Sequence, residues 1–315
     1  MELHLINKID RIIVHGNCPD GMASAIILYD ATGIEPEFVS HGTEQYMEME
    51  ATPNMLFCDI APPGNRYKEF IDAGAIVLDH HKGQEDIVKA FGKNGFFADE
   101  INDPGVSGAL LAYNEVWKPL KPFNLSCSIR TMADLVGIRD TFLKSSSRWI
   151  TACEMTSAIT FFNWDYWKNK VDSKSLSFNK ELDIGKTIYL SRLNKAKDIA
   201  NKVFLFEDAG YKVAVFNDLD HHTSDVADIL RNKGINVTAG FYYVTEHINP
   251  TICFSLRSDG TINVSDLAKT IPGGGGHSKA AGFSEEIDLK EINPFALFQE
   301  IFSDYINYYM PSEAI

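Results

Sequence analysis

Short apolar runs alternate with segments of helical period through the first 140 residues. RIIVH (11–15) precedes DGMASAIILYDA (20–31), in which Ala23, Ile26 and Ile27 recur on one helical face. EFVS (37–40) and NMLFCDI (54–60) read as strands, YKEFIDAG (67–74) as a helix and AIVLD (75–79) as a further strand. This β-α-β-β-α-β order predicts a mostly parallel sheet covered by helices. From 105 to about 157 the pattern is mainly helical, and 165–180 is polar enough to read as a surface connection. Residues 181–203 predict one long helix. A second alternating block follows: strand 211–217, helix 223–234, strands 235–244 and 251–258, helix 264–271, a glycine run, and a helix near 294–308. The fold class expected is α/β: a first domain over 1–180 with the parallel sheet, a linker helix at 181–204, and a smaller α/β domain at 205–315.

Length and composition agree with two soluble domains: 315 residues, 45% of them hydrophobic. No apolar run approaches the ~20 residues that cross a bilayer, and MELHLINKID has neither a basic start nor an apolar core for a secretory signal. Five scattered cysteines (Cys18, Cys58, Cys127, Cys153, Cys253) with no C-x-x-C argue against a disulfide framework or a zinc ribbon. A cytoplasmic location is the expectation. The net charge of -14 disfavours long duplex DNA, whose non-specific binding relies on Lys and Arg. An anionic substrate then needs a local source of positive charge, which metal ions supply.

Polar residues collect where the first-domain strands end. VHGNCPDG offers His15 and Asp20, FCDIAPP offers Asp59, LDHHKG offers Asp79, His80 and His81, and VGIRDTF offers Asp140. Each alone is ordinary as a turn residue or helix cap. Their coincidence at the carboxyl ends of parallel strands, where α/β sheets bind ligands, is not. Oxygen and imidazole donors suit Mn²⁺, Mg²⁺ or Zn²⁺. Several carboxylates around histidine suggest two ions ~3.5–4 Å apart, the arrangement that hydrolyses phosphoesters, with Asp59 as the bridging carboxylate. If the strand continues through both histidines, His81 points away from the ion of His80 and can donate to a scissile phosphate instead.

These segments resemble the DHH phosphoesterase superfamily. VLDHHKG matches the motif that names it; VHGNCPDGMASA, FCDIAPP and LVGIRDTF resemble its first, second and fourth motifs. PGGGGHSKAAGF (272–283) resembles the glycine-rich signature of the DHH-associated C-terminal domain. The resemblance implies His15, Asp20, Asp59, His80 and Asp140 as ligands of two Mn²⁺ ions, with Mg²⁺ an alternative. It implies His81 on the phosphate, and Asp79 either orienting His80 and His81 or standing behind the metal ligands. In the second domain it implies Arg257 and His277 as substrate contacts, with Gly274 and Gly275 admitting close backbone approach. The first motif departs from the family. Asn17 and Cys18 stand where a first Asp is expected, or Met22 stands for the second. Asn17 can supply a neutral oxygen and Cys18 a soft ligand, although a small buried residue is the favoured reading of Cys18. A second DHH at 220–222 reads as a loop before a helix capped by Thr223 or Ser224. The glycine run is expected to lead into a short helix at HSKAA, whose first amides, with His277 and Lys279, form an anion site.

The function expected is a Mn²⁺-dependent phosphoesterase in which two domains close over a small nucleotidic substrate: a short oligonucleotide, a linear dinucleotide or a pAp-like monoester. A single-strand 5′ exonuclease and a pyrophosphatase or polyphosphatase are the enzymatic alternatives. A catalytically weak nucleotide sensor is the alternative of another class. Duplex DNA and membranes are not expected partners, and a homodimer is left open.

Overall fold

The computed structural model describes residues 1–16, 18–99, 101–122, 127–219, 222–244, 250–287 and 293–309. The chain divides into two compact units, Met1–Tyr189 and Leu190–Ile315.

In chain order the first unit runs α1 (Leu3–Ile6), β1 (Arg11–His15), α2 (Pro19–Thr32), β2 (Pro36–Val39), α3 (Glu44–Met47), β3 (Met55–Cys58), α4 (Tyr67–Asp72), β4 (Ile76–Asp79), α5 (Glu85–Ala90) and β5 (Gly95–Phe97). Helices α6 (Gly108–Ala112), α7 (Lys118–Leu120), α8 (Cys127–Asp140), α9 (Trp149–Phe161) and α10 (Trp164–Asp172) follow, then α11 (Asn179–Ala200), which enters the second unit. The five strands are all parallel, in the order β2-β1-β3-β4-β5. Successive residues face opposite sides. Ile12, Val14, Leu56, Cys58, Ile76 and Leu78 pack in one core with α2, α6, α8 and α9, while Ile13, Met55, Phe57 and Val77 pack with Phe70 and Val88 in the other. Burial on both faces is why these strands are continuously apolar.

One expectation for this unit is corrected. The polar stretch at 165–180 contains helix α10. Asn163 caps it by accepting from the Tyr166 amide, and Trp167 and Val171, four residues apart, bury into the first core. Trp164, Trp167 and Val171 recur at i, i+3 and i+7 and pack on the first core, but the interleaved Asp165, Lys168, Lys170 and Asp172 made the segment read as polar.

The second unit continues with β6 (Phe204–Asp208), β7 (Tyr211–Asn217), α12 (Thr223–Arg231), β8 (Val237–Val244), β9 (Thr251–Ser258), α13 (Val264–Lys269), β10 (Gly275–His277), β11 (Ala280–Glu286) and α14 (Pro294–Tyr309). Its sheet has the order β10-β11-β9-β8-β7-β6, with only β7 and β8 parallel. Val213, Val215, Val237, Phe254, Leu256 and Phe283 meet α13 and α14 on one face. Ala214 and Phe216 meet Val226 and Leu230 of α12 and Ala196 and Ala200 of α11 on the other.

The HSKAA segment is not a helix. It is the turn of the β10–β11 hairpin, with His277 opposite Ala280 in register. Gly276, at φ +140, lies 2.6 Å from the Ala280 oxygen at its would-be Cβ, so only glycine brings the two strands this close. With a hairpin in place of a helix, there is no helix start here to supply the expected anion site.

Candidate metal centre

Because β1, β3 and β4 are parallel and adjacent, their carboxyl ends share one edge. His15 ends β1, Asp59 follows β3, and Asp79 ends β4. The chain then returns from β1 into α2 by a very tight route. A Cβ on Gly21 would lie 1.9 Å from the His15 carbonyl oxygen, so the first turn of α2 packs flush on the strand end. That contact carries Cys18, the N-cap, and Asp20, in the first turn, over the edge. Asp140 arrives from elsewhere, as the last residue of α8.

Asp59 is the hub. It is buried and adopts a left-handed backbone, φ +62, while its amide donates to the Leu78 carbonyl at 2.9 Å. Such a conformation costs about 1–3 kcal/mol and persists where the surroundings impose it. Its Oδ1 lies 3.2 Å from His80 Nε2. Its Oδ2 lies 3.2 Å from Cys18 Sγ and 3.6 Å from His15 Nδ1. His80 Nε2 in turn stands 3.4 Å from Asp20 Oδ2 and 3.5 Å from Asp140 Oδ2. Three donor groups thus overlap: His15 and Cys18 with one oxygen of Asp59, His80 and His81 with Asp59, and His80 with Asp20 and Asp140.

Around these sit the groups that hold them. Asp20 accepts from the Gly108 amide at 2.6 Å and the Ala109 amide at 2.8 Å, the opening residues of α6, which Ser107 caps. Asp79, completely buried, accepts on Oδ1 from the amides of His80 (2.7 Å) and His81 (3.0 Å) and engages His81 Nδ1 at 2.7 Å. Its contact with the tandem imidazoles is therefore to the ring of His81, and to His80 only through the backbone.

The alternation argument for His81 fails at its premise. Strand β4 stops at Asp79, and the rings of His80 and His81 sit 4.4 Å apart rather than on opposite faces.

The electrostatics follow from burial. Burial, then the charge of Asp59, push Asp20 up to about 7. The same two causes raise Asp140, though His80 opposes them. Burial also acts to raise Asp59, but His15 and His80 overcome it and hold that carboxyl well below its ordinary range. His80 is raised well above an ordinary imidazole: hydrogen bonds to Asp20 and Asp59 outweigh the burial that lowers it. His81 is raised by Asp79 against the same opposing burial. Burial, Asp59 and Asp20 push the Cys18 thiol up.

Among the described residues no Lys or Arg forms an ion pair with Asp20, Asp59, Asp79 or Asp140. One Asp79 oxygen, Oδ2, is buried with no hydrogen-bond partner. Carboxylates gathered this densely, with imidazole beside them and no side-chain cation, are the donor set of divalent ions. His15, Asp20, Asp59, His80 and Asp140 fit such ions.

The first-motif departure resolves in part. Met22 packs against the hydrophobic core. Asn17 lies outside the described residues. Cys18 is not in that core at all; its sulfur faces His15 and Asp59. Two contributors were not anticipated. His41, just beyond β2, has its ring 5.6 Å from that of His15, and burial followed by the charges of His15 and His81 lowers it. A histidine within two residues of a neighbouring strand end was the available signal. The Gly108 and Ala109 amides had none, because backbone donors leave no mark in side-chain chemistry.

Of the second-unit residues, Arg257 lies half-buried on β9, its Nε 3.1 Å from Ser224 Oγ on α12. Gly274 and Gly275 differ. A Cβ on Gly274 would lie 2.0 Å from the Ala268 oxygen, so that glycine serves packing against α13. Gly275 has open space at the same position. His277 is in β10. In the second DHH, Asp220 and His221 lie outside the described residues. Helix α12 is capped neither by Thr223 nor by Ser224 but by Asp218, which accepts from the amides of His222 (2.6 Å) and Thr223 (2.8 Å).

Residues 208–303 match the DHHA1 domain family. In fold, the chain is similar to the pGpG-specific phosphodiesterase PggH of Vibrio cholerae, with a TM-score of 0.55 and 16% identity over 93% of this chain and 99% of that one. It is also similar to an exopolyphosphatase-related protein of Bacteroides fragilis, with a TM-score of 0.51 and 14% identity over 96% of this chain and 94% of that one. No curated protein matches it in sequence. Among the described residues no helix is long and apolar enough to cross a membrane.

Proposed function

We propose that this chain, in which a DHH motif precedes a segment matching the DHHA1 domain family, is a member of the DHH superfamily and a Mn²⁺-dependent phosphoesterase acting on small nucleotidic substrates, linear dinucleotides first among them. The observation that carries this reading is the division of Asp59: one oxygen faces His80, the other His15 and Cys18. That is the placement of a carboxylate shared by two cations. The fold-level likeness to a pGpG phosphodiesterase supports the dinucleotide over longer strands, as does the net charge of -14.

In this reading His15, Asp20, Asp59, His80 and Asp140 hold the ions. Divalent cations held there would supply neutralisation of the phosphate charge and activation of water. The chain's own groups do the rest. The α6 amides fix both oxygens of Asp20, so that ligand meets a cation without reorganising. Asp79 accepts from Nδ1 of His81 and, by raising that imidazole, favours the doubly protonated ring, in which Nε2 also carries a proton. That proton is donated to a phosphate oxygen as charge develops on it. By resemblance to the same family, Arg257 and His277 are candidate substrate contacts.

The test is a substrate panel with Mn²⁺: short single-stranded oligonucleotides, linear and cyclic dinucleotides, pAp, pyrophosphate and polyphosphate, with products identified by mass. Hydrolysis of a linear dinucleotide to mononucleotides, abolished by chelation and by Asp59→Asn, is expected. Stepwise shortening of long single strands would establish the exonuclease instead. Cleavage confined to pyrophosphate or polyphosphate would establish that alternative. Tight nucleotide binding without turnover would establish a sensor.

A further inference from the structure

We propose that Cys18 is a thiolate ligand of the first cation, making the centre a mixed pair: one position of nitrogen, sulfur and oxygen, the other of nitrogen and oxygen only. This rests on the two-cation reading above and deepens it.

Cys18 Sγ, His15 Nδ1 and Asp59 Oδ2 form a triangle with sides of 3.3, 3.2 and 3.6 Å. Bond lengths of ~2.3 Å to sulfur and ~2.0–2.2 Å to nitrogen or oxygen, at tetrahedral angles, require sulfur sides of about 3.5–3.7 Å and a nitrogen–oxygen side of about 3.3–3.6 Å. The nitrogen–oxygen side meets this and the two sulfur sides fall short by a few tenths of an ångström, a gap that a small outward movement of Sγ closes on binding one ion.

The plainer reading, a small buried residue filling space, fails on the surroundings. Cys58 shows what that looks like: it is fully buried within the hydrophobic core. Cys18 is partly exposed, stands outside that core, and its sulfur meets an imidazole, a carboxylate and the Gly21 amide at 3.1 Å. A capping role does not explain the residue type either, since Ser, Asp or Asn caps a helix better. The position at the head of the fourteen-residue α2 and the amide donated to sulfur both favour the thiolate once a cation is present. On binding, the thiol proton leaves to solvent and the sulfur lone pair takes the metal bond.

The consequence is selectivity. Thiolate with imidazole draws Zn²⁺, Co²⁺ or Fe²⁺, whereas the donors Asp20, His80 and Asp140, all nitrogen and oxygen, suit Mn²⁺ or Mg²⁺.

Co²⁺ alone is the probe. Metal-free full-length protein is titrated with Co²⁺ while the near-ultraviolet thiolate-to-cobalt charge-transfer band is followed. Wild type is expected to bind two ions, with the band saturating at one. Cys18→Ser and Cys18→Asp are expected to lose the band, and Cys18→Asp to keep two ions and shift its first-site preference from Zn²⁺ to Mn²⁺. Two ions bound without the band, or a band retained in either variant, would overturn the thiolate assignment and leave the phosphoesterase reading standing. Failure of wild type to bind any Co²⁺ would overturn both.

Discussion

Gly108 sits where a side chain would collide with Asp59: a Cβ there would lie 2.4 Å from the Asp59 Cβ and 2.9 Å from its Cα. Helix α6 thus begins directly on the central carboxylate, while its first amides hold Asp20. One residue without a side chain sets the spacing of two candidate ligands. Gly108→Ala should shift Asp59, destabilise the protein by about 1–3 kcal/mol as overpacking does, and weaken both cations. Denaturant unfolding alongside metal titration checks this; a variant of wild-type stability and metal affinity would mean the helix start is more pliable than this contact requires.

Removing Asp59 should empty both positions together. Asp59→Ala is expected to lose metal and nearly all turnover. Calorimetric titration reads the stoichiometry, and retention of two ions would refute the shared-carboxylate geometry.

His81 and Asp79 should behave as one unit. His81→Ala is expected to lower kcat by ~10²–10³ while keeping the metals, as for a donor aimed at developing charge. Asp79→Asn is expected to cost about 10–100-fold, as loss of an orienting partner does. The double variant should be little worse than His81→Ala alone. Strictly additive losses would show that Asp79 does not act through His81.

Metal-free protein should lose stability as pH rises. Asp20 is pushed up to about 7 and Asp140 is raised, so the folded state holds protons that the unfolded state has released above its ordinary carboxylate value. His80 is raised too, and its contribution, complete below the unfolded imidazole value, is lost as pH climbs through the higher folded one. Asp59, lowered, works oppositely, but only as pH falls below the ordinary carboxylate range. With chelator present, Tm should therefore fall from about pH 5 to about pH 8. Divalent ion should restore it most at the alkaline end, and Asp20→Asn should flatten the slope. A pH-independent Tm in chelated wild type would contradict this account.

His277→Ala is expected mainly to raise KM, as loss of a substrate contact does. A fall in kcat with KM unchanged would place His277 in the chemistry instead.

The sequence by itself determined the β-α-β framework of the first unit, the central strands and helices of the second and the rim where the candidate chemistry sits, while α5, β5 and β6 were not read from it. Apolar runs such as AIVLD, ending in charged or imidazole residues, mark the carboxyl ends of buried strands, because a strand covered on both faces must be apolar until it leaves the sheet. His15, Asp59, Asp79 and His80 were legible for that reason. Only the tertiary structure decided what those residues do to one another. That Cys18 turns from the core towards Asp59, that His41 joins the rim from β2, and that the α6 amides grip Asp20 across 88 residues of sequence are contacts between distant segments. Helix α10 and the β10–β11 hairpin escaped notice on the same grounds. Charges interleaved with its apolar face masked the period of α10, and the hairpin depends on pairing with β9, so packing decides wherever local preference is weak.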